Sequence, residues 1–127
     1  MLQQVSDSEL TLMKIVWANQ GAAKYAVIME ELAKNGNTWQ KNTVITLLSR
    51  LVDKGMLKTS KIGRRNEYIA LVTEADYQSA QARTLVSKLY AGNAKGLVAT
   101  LIQGEMLSEE DYRELKRFWE NGGEKNE

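Results

Sequence analysis

Cysteine, histidine and proline are all missing from this 127-residue sequence, and each absence closes off a class of function. Without cysteine there are no disulfides, no thiolate zinc sites and no cysteine nucleophile. Without histidine, the commonest metal ligand and the commonest general base are gone. The expectation is a chain that is not an enzyme, with no metal site and no cofactor. The lack of proline fits a compact, helix-rich fold with few rigid turns. No apolar run reaches the roughly 18 residues of a membrane helix, and no basic-then-apolar leader is present, so the reading is a cytoplasmic protein with no membrane partner.

Charge is scarce in sum but unevenly placed. The net charge is only +1, yet residues 1–72 hold ten Lys/Arg against six Asp/Glu, while residues 73–127 hold seven against ten. Within residues 38–67 the count is seven basic to two acidic, so the positive field centres on one stretch.

That stretch begins with TWQKNTVITLLSRLVDKG, residues 38–55. Val44, Leu47, Leu48 and Leu51 recur at helical spacing as an apolar stripe, and Asn42, Thr46, Ser49 and Asp53 fall opposite, with Thr43 and Arg50 on the flank. Thr38 is the candidate N-cap and Gly55 the stop, which predicts a helix from Trp39 or Gln40 to Lys54. Its free face carries amide, hydroxyl and guanidinium groups that can read base edges in a DNA major groove. An ordinary solvated face would look the same by periodicity alone, so the flanking segments decide.

Upstream, Ser6 followed by Glu9 is a capping box, and Leu10, Met13, Val16 and Trp17 give a first amphipathic helix. Asn19, Gln20 and Gly21 interrupt it. Tyr25, Ile28, Met29 and Leu32 give a second helix ending at Asn35 and Gly36, and the short connection to the third makes a helix-turn-helix pattern. Downstream, residues 57–60 and 66–72 read as a strand pair. Their tip, Lys61-Ile62-Gly63-Arg64-Arg65, is basic and has a glycine where the backbone reverses. Three helices followed by a basic hairpin is the order of a winged helix-turn-helix domain, in which the third helix enters the major groove and the wing meets phosphates or the minor groove. The candidate DNA-binding residues are Lys41, Asn42, Thr43, Thr46, Ser49 and Arg50 on the helix and Lys61, Arg64 and Arg65 on the wing.

The remaining residues are helical. Thr73 and Asp76 cap a fourth helix carrying Tyr77, Ala82, Leu85, Val86, Leu89 and Tyr90, stopped by Gly92 and Asn93. A short helix over 94–103 presents Leu97, Val98, Leu101 and Ile102, and Ser108 with Asp111 starts a last one carrying Tyr112, Leu115, Phe118 and Trp119. Residues 122–127 read as a frayed tail. So many bulky apolar faces on three helices call for a second copy to cover them, the other arrangement being that they fold back on the winged domain. The candidate interface is Leu85, Val86, Leu89, Tyr90, Leu97, Val98, Leu101, Leu115, Phe118 and Trp119. The fold class is thus mainly α: a winged helix-turn-helix DNA-binding domain over residues 1–72 and a helical dimerisation region over 73–127.

Three groups of residues together carry a resemblance. They are Ser6 and Glu9 with Met13 and Trp17; Trp39, Thr43, Thr46, Leu47, Arg50, Leu51, Lys54 and Gly55; and Tyr68 with Leu71 and Val72. The order resembles the BlaI/MecI penicillinase repressors and the related CopY copper-responsive repressors over nearly the whole chain. The resemblance implies a homodimeric winged-helix transcriptional repressor bound to a palindromic operator in double-stranded DNA. It matches Thr43, Thr46 and Arg50 to positions that face DNA, while Asn42 stands where some members have lysine and Ile45 where one branch has a basic residue. In the antibiotic-resistance branch a regulatory protease cuts an Asn-Phe bond in the helix corresponding to 94–103; the matching pair here is Thr100-Leu101, the candidate cleavage site. The copper branch senses metal through a cysteine-rich tail, which this cysteine-free sequence cannot reproduce. The runner-up reading is a winged-helix protein-interaction module without specific DNA binding, which predicts no salt-sensitive DNA affinity.

Overall fold

The computed structural model describes residues 4–63 and 65–122 and divides into two compact units, Met1–Gln81 and Ala82–Glu127. Arg64 and the tail beyond Gly122 lie outside the described residues. The first unit opens with helix α1 (Asp7–Ala18), whose start is the expected capping box: the Glu9 N–H donates to Ser6 Oγ and the Ser6 N–H to Glu9 Oε1. Helix α2 (Tyr25–Lys34) ends at Asn35, with Gly36 taking the left-handed conformation at φ +76° that a side chain resists.

Helix α3 spans Lys41–Asp53, starting later than expected. Thr38 does not cap it. Asn37 Oδ1 accepts the Trp39 N–H at 2.8 Å, which holds the chain in a local turn, and Gln40 becomes the N-cap with no side-chain hydrogen bond. The stop at Gly55 is as expected, with φ +77°.

Strands β2 (Leu57–Ile62) and β3 (Arg65–Ala70) form the hairpin, with Ile62 opposite Arg65 and Gly63 at φ +65° between them. The second strand ends at Ala70, short of the expected Val72, because the next two residues turn their backbone groups elsewhere: Leu71 N–H donates to the Met56 carbonyl and the Val72 carbonyl accepts the Trp17 indole N–H. The sequence reading lacked a third strand, β1 (Ala22–Lys24), which pairs antiparallel with the outer edge of β3 to give the order β1-β3-β2.

Leu12, Met13 and Val16 of α1, Ile28 and Leu32 of α2, and Val44, Leu48 and Leu51 of α3 form one buried cluster, closed by Met56, Leu57 and Tyr68. Helix α4 (Glu74–Tyr90) starts with the Asp76 N–H donating to Thr73 Oγ1. Its first turn belongs to this cluster: Tyr77 is buried, its ring lies 5.8 Å from that of Trp17, and its hydroxyl accepts the Val5 N–H at 3.0 Å.

The second unit contains the rest of α4, then α5 (Ala94–Gln103) and α6 (Glu109–Glu120), the last started by the expected Ser108–Asp111 capping box. Neither α5 nor α6 has a buried residue.

Candidate nucleic-acid interface

Helix α3 separates its two faces cleanly. Val44, Leu47, Leu48 and Leu51 are buried, whereas Lys41, Asn42, Thr43, Thr46, Ser49 and Arg50 are all exposed. Every candidate reader on this helix therefore projects away from the core that fixes the helix in place. Ile45 stands among them at 42% exposure, an apolar side chain on the polar face.

Besides core packing, α3 is tied to α1 by an ion pair that sequence patterning did not reveal. Lys54, the C-cap of α3, donates from Nζ to Glu9 Oε1 at 2.6 Å and reaches the Gln4 carbonyl at 3.5 Å. Glu9 is only 2% exposed and its partner lysine side chain 28%. Burial alone would raise the Glu9 carboxyl, but Lys54 and the Ser6 backbone N–H and hydroxyl outweigh it and hold the group below the usual carboxylate range. One carboxylate thus completes the capping box of α1 and anchors the end of α3. The signal available in the sequence was Glu9 alone, read as a cap; its partner lies 45 residues away.

The wing is also placed to meet a ligand. Lys58 to Ile62 on β2 and Arg65 and Asn66 on β3 are exposed, so Lys61 and Arg65 stand at the solvent end of the hairpin. Arg64, the third candidate there, is outside the described residues. At the inner end, Tyr68 is buried; burial first, and then the neighbouring Tyr25 phenol, push its hydroxyl above the ordinary value. Among the described residues there is no cluster of metal-ligating side chains.

The candidate interface of the second unit is open. Leu85, Leu89, Val98, Ile102, Tyr112, Leu115 and Phe118 are exposed, Leu89 at 65%, and Trp119 is 82% exposed. Val86, Tyr90, Leu97 and Leu101 are half-buried. A groove of about 560 Å³ runs between α5 and α6; Val98, Ile102, Leu107, Tyr112, Leu115 and Trp119 line it, with Ser108, Glu109 and Lys116 as its polar members. Thr100 is exposed, and its hydroxyl donates to the Gly96 carbonyl within α5. Ala91 at φ +51° and Gly92 at φ +84° end α4, Asn93 is the N-cap of α5, and past its C-cap Gly104, which sits at φ −85°, Glu105 turns left-handed at φ +57°.

Residues 5–121 match the family model described as penicillinase repressor. The penicillinase repressor of Bacillus licheniformis is 33% identical over 119 residues, 94% of this chain and 91% of that protein. The methicillin resistance regulatory protein MecI of Staphylococcus aureus strain N315 is 29% identical over 91% of this chain and 92% of its own length. The solution structure of monomeric Bacillus licheniformis BlaI in complex with the blaP half-operator is 36% identical, with a TM-score of 0.51, over 61% of this chain and 92% of that one. By name, the first relative is a repressor and the second a regulatory protein.

Proposed function

The chain belongs to the penicillinase repressor family, and we propose that this winged-helix DNA-binding repressor works as a cytoplasmic homodimer on a palindromic operator. The observation that carries the reading is the exposed face of α3. Its Lys41, Asn42, Thr43, Thr46, Ser49 and Arg50 form an unobstructed polar surface on a helix fixed from behind by core packing and by the Lys54–Glu9 pair. Residues 1–72 supply DNA recognition and residues 73–127 dimerisation. No helix among the described residues is long and apolar enough to cross a membrane.

A second copy is the partner for the second unit because no residue of α5 or α6 is fully buried within the chain, and exposed apolar faces of this extent mark interaction surfaces. Two recognition helices related by a two-fold axis then match two half-sites. Release follows from separating those copies. Scission between Thr100 and Leu101 by a regulatory protease would part Leu85, Leu89 and Val98 from Leu115, Phe118 and Trp119, leaving each domain to hold its half-site alone.

Capturing genomic fragments on the purified protein and then titrating them by fluorescence anisotropy tests the reading. The expected result is a two-fold symmetric sequence bound by a dimer, with affinity falling steeply as salt rises. Absence of salt-sensitive binding to any fragment would refute it. Limited proteolysis tests release separately: cleavage within 94–103 with loss of operator binding is expected, and resistance of that stretch would assign induction to another signal.

A further inference from the structure

A recess of about 520 Å³ lies in the first unit where α2, α3 and β3 meet; Ile45 borders it, and its polar lining is Lys24, Tyr25, Lys41, Arg65, Asn66 and Tyr68. Three of these are cations. Among the described residues, Lys24, Lys41 and Arg65 make no ion pair, although Glu67 stands opposite Lys24 in the strand register. The hydroxyl oxygen of Tyr25 is buried and lacks a hydrogen-bond partner. A polar group withdrawn from water without a partner is unfavourable, so a shift of the ring that brings the hydroxyl to an acceptor in the recess would relieve it. The two helices that border it share a further property. Lys24 caps α2 and Gln40 caps α3, neither with a side-chain hydrogen bond, whereas α1 and α6 have full capping boxes. No capping side chain therefore occupies the first N–H groups of α2 and α3, at the positive ends of their helix dipoles. Helix α5 is also uncapped, but it borders no such cluster of cations.

We propose that this recess is a phosphate-binding site that seats one phosphodiester of the DNA backbone between the recognition helix and the wing, with Lys24 and Tyr25 among its ligands. Cations, helix N-termini and an orphaned hydroxyl donor are the groups that phosphate oxygens take. The DNA backbone is favoured over a free anion because Lys41 and Arg65 border the recess from α3 and from the wing, the two elements assigned to DNA. The inference rests on the DNA-binding reading above and deepens it: a phosphate held here would set how deeply α3 enters the groove, without itself reading sequence.

The test uses the full-length protein and a mixed-sequence duplex, since a phosphate contact is indifferent to base sequence. Binding is measured over a salt series for the wild type, Lys24→Gln and Tyr25→Phe. The expected result for Lys24→Gln is a salt slope smaller by about one and equal weakening on all sequences. Tyr25→Phe is expected to leave the thermal melt unchanged or raised, since it removes an unsatisfied hydroxyl, while still weakening DNA binding. Unchanged slope and affinity in both variants, with wild-type melts, would overturn the proposal. In a second arm, inorganic phosphate is titrated into the free protein and followed by NMR at Tyr25. Saturable phosphate binding that Lys24→Gln abolishes, with no change in the DNA salt slope, would make the site one for a free anion and also overturn it. If the wild type binds no duplex at all, it is the repressor reading that fails.

Discussion

Replacing Lys54 with methionine tests the anchor of the recognition helix. The substitution keeps an unbranched side chain of similar length and removes the ammonium that donates to Glu9 at 2.6 Å. Removing one partner of a fully buried pair costs about 3–5 kcal/mol, whereas an exposed pair contributes about 0.2–1 kcal/mol. Glu9 is 2% exposed and Lys54 28%, and the Ser6 N–H still reaches the carboxylate, so the expected loss lies between those limits, at about 2–3 kcal/mol near pH 7. That corresponds to a fall of roughly 10 °C in Tm.

The pH dependence has a definite sign. In the wild type Glu9 is held below its ordinary value, so the native state binds fewer protons than the unfolded chain. Its contribution is present above the unfolded carboxylate range and is lost as pH falls through the lower folded value. In Lys54→Met, burial acts with less opposition and the carboxyl is expected to rise, so the native state takes up a proton and the deficit shrinks as pH falls toward about 4.5. Urea unfolding followed by circular dichroism at both pH values measures this. The double variant Glu9→Gln, Lys54→Met closes the cycle and is expected to be more stable than Lys54→Met alone at neutral pH, because no charge is left buried. A loss under about 1 kcal/mol, or one independent of pH, would refute the reasoning.

Four other outcomes are expected. Thr46→Ala or Arg50→Ala should weaken cognate DNA by about 1–3 kcal/mol and nonspecific DNA much less, as read from parallel anisotropy titrations. Replacing Arg64 and Arg65 by alanine should weaken all DNA alike and reduce the salt slope by about one for each of the two that neutralises a phosphate. Trp119→Ala, at the most exposed large apolar side chain, is expected to weaken dimerisation by about 2 kcal/mol or more in sedimentation equilibrium, with little change in the melting of the first unit. Ala91→Gly and Glu105→Gly, each at a left-handed residue, should raise stability by up to about 1 kcal/mol in urea unfolding, whereas the same change at Ala99 inside α5 should lower it by a similar amount.

The features legible in the sequence are those set by neighbours along the chain. A capping box needs only Ser6 and Glu9, or Ser108 and Asp111, because the hydrogen bonds close within three residues. The buried stripe of α3 and its opposing polar face follow from a 3.6-residue period, and the hairpin from a glycine between two short runs, the second rich in strand-favouring residues. Start and stop could still err where a local competitor intervened, as when Asn37 captured the Trp39 N–H and moved the start of α3 to Lys41. Tertiary structure alone decided what depended on distant partners. Three residues are too few for an alternating pattern, so β1 exists only because β3 offers it an open edge. The Tyr77 side chain looks like part of the C-terminal helical stripe, yet it joins the first unit because Trp17 and the Val5 N–H are there to receive it. Lys54 looks like a charged helix end, and Glu9 like a cap; only folding across 45 residues makes them one buried pair. Pairings of this kind carry no periodicity, since the loop that separates the partners can hold any sequence that lets the ends meet.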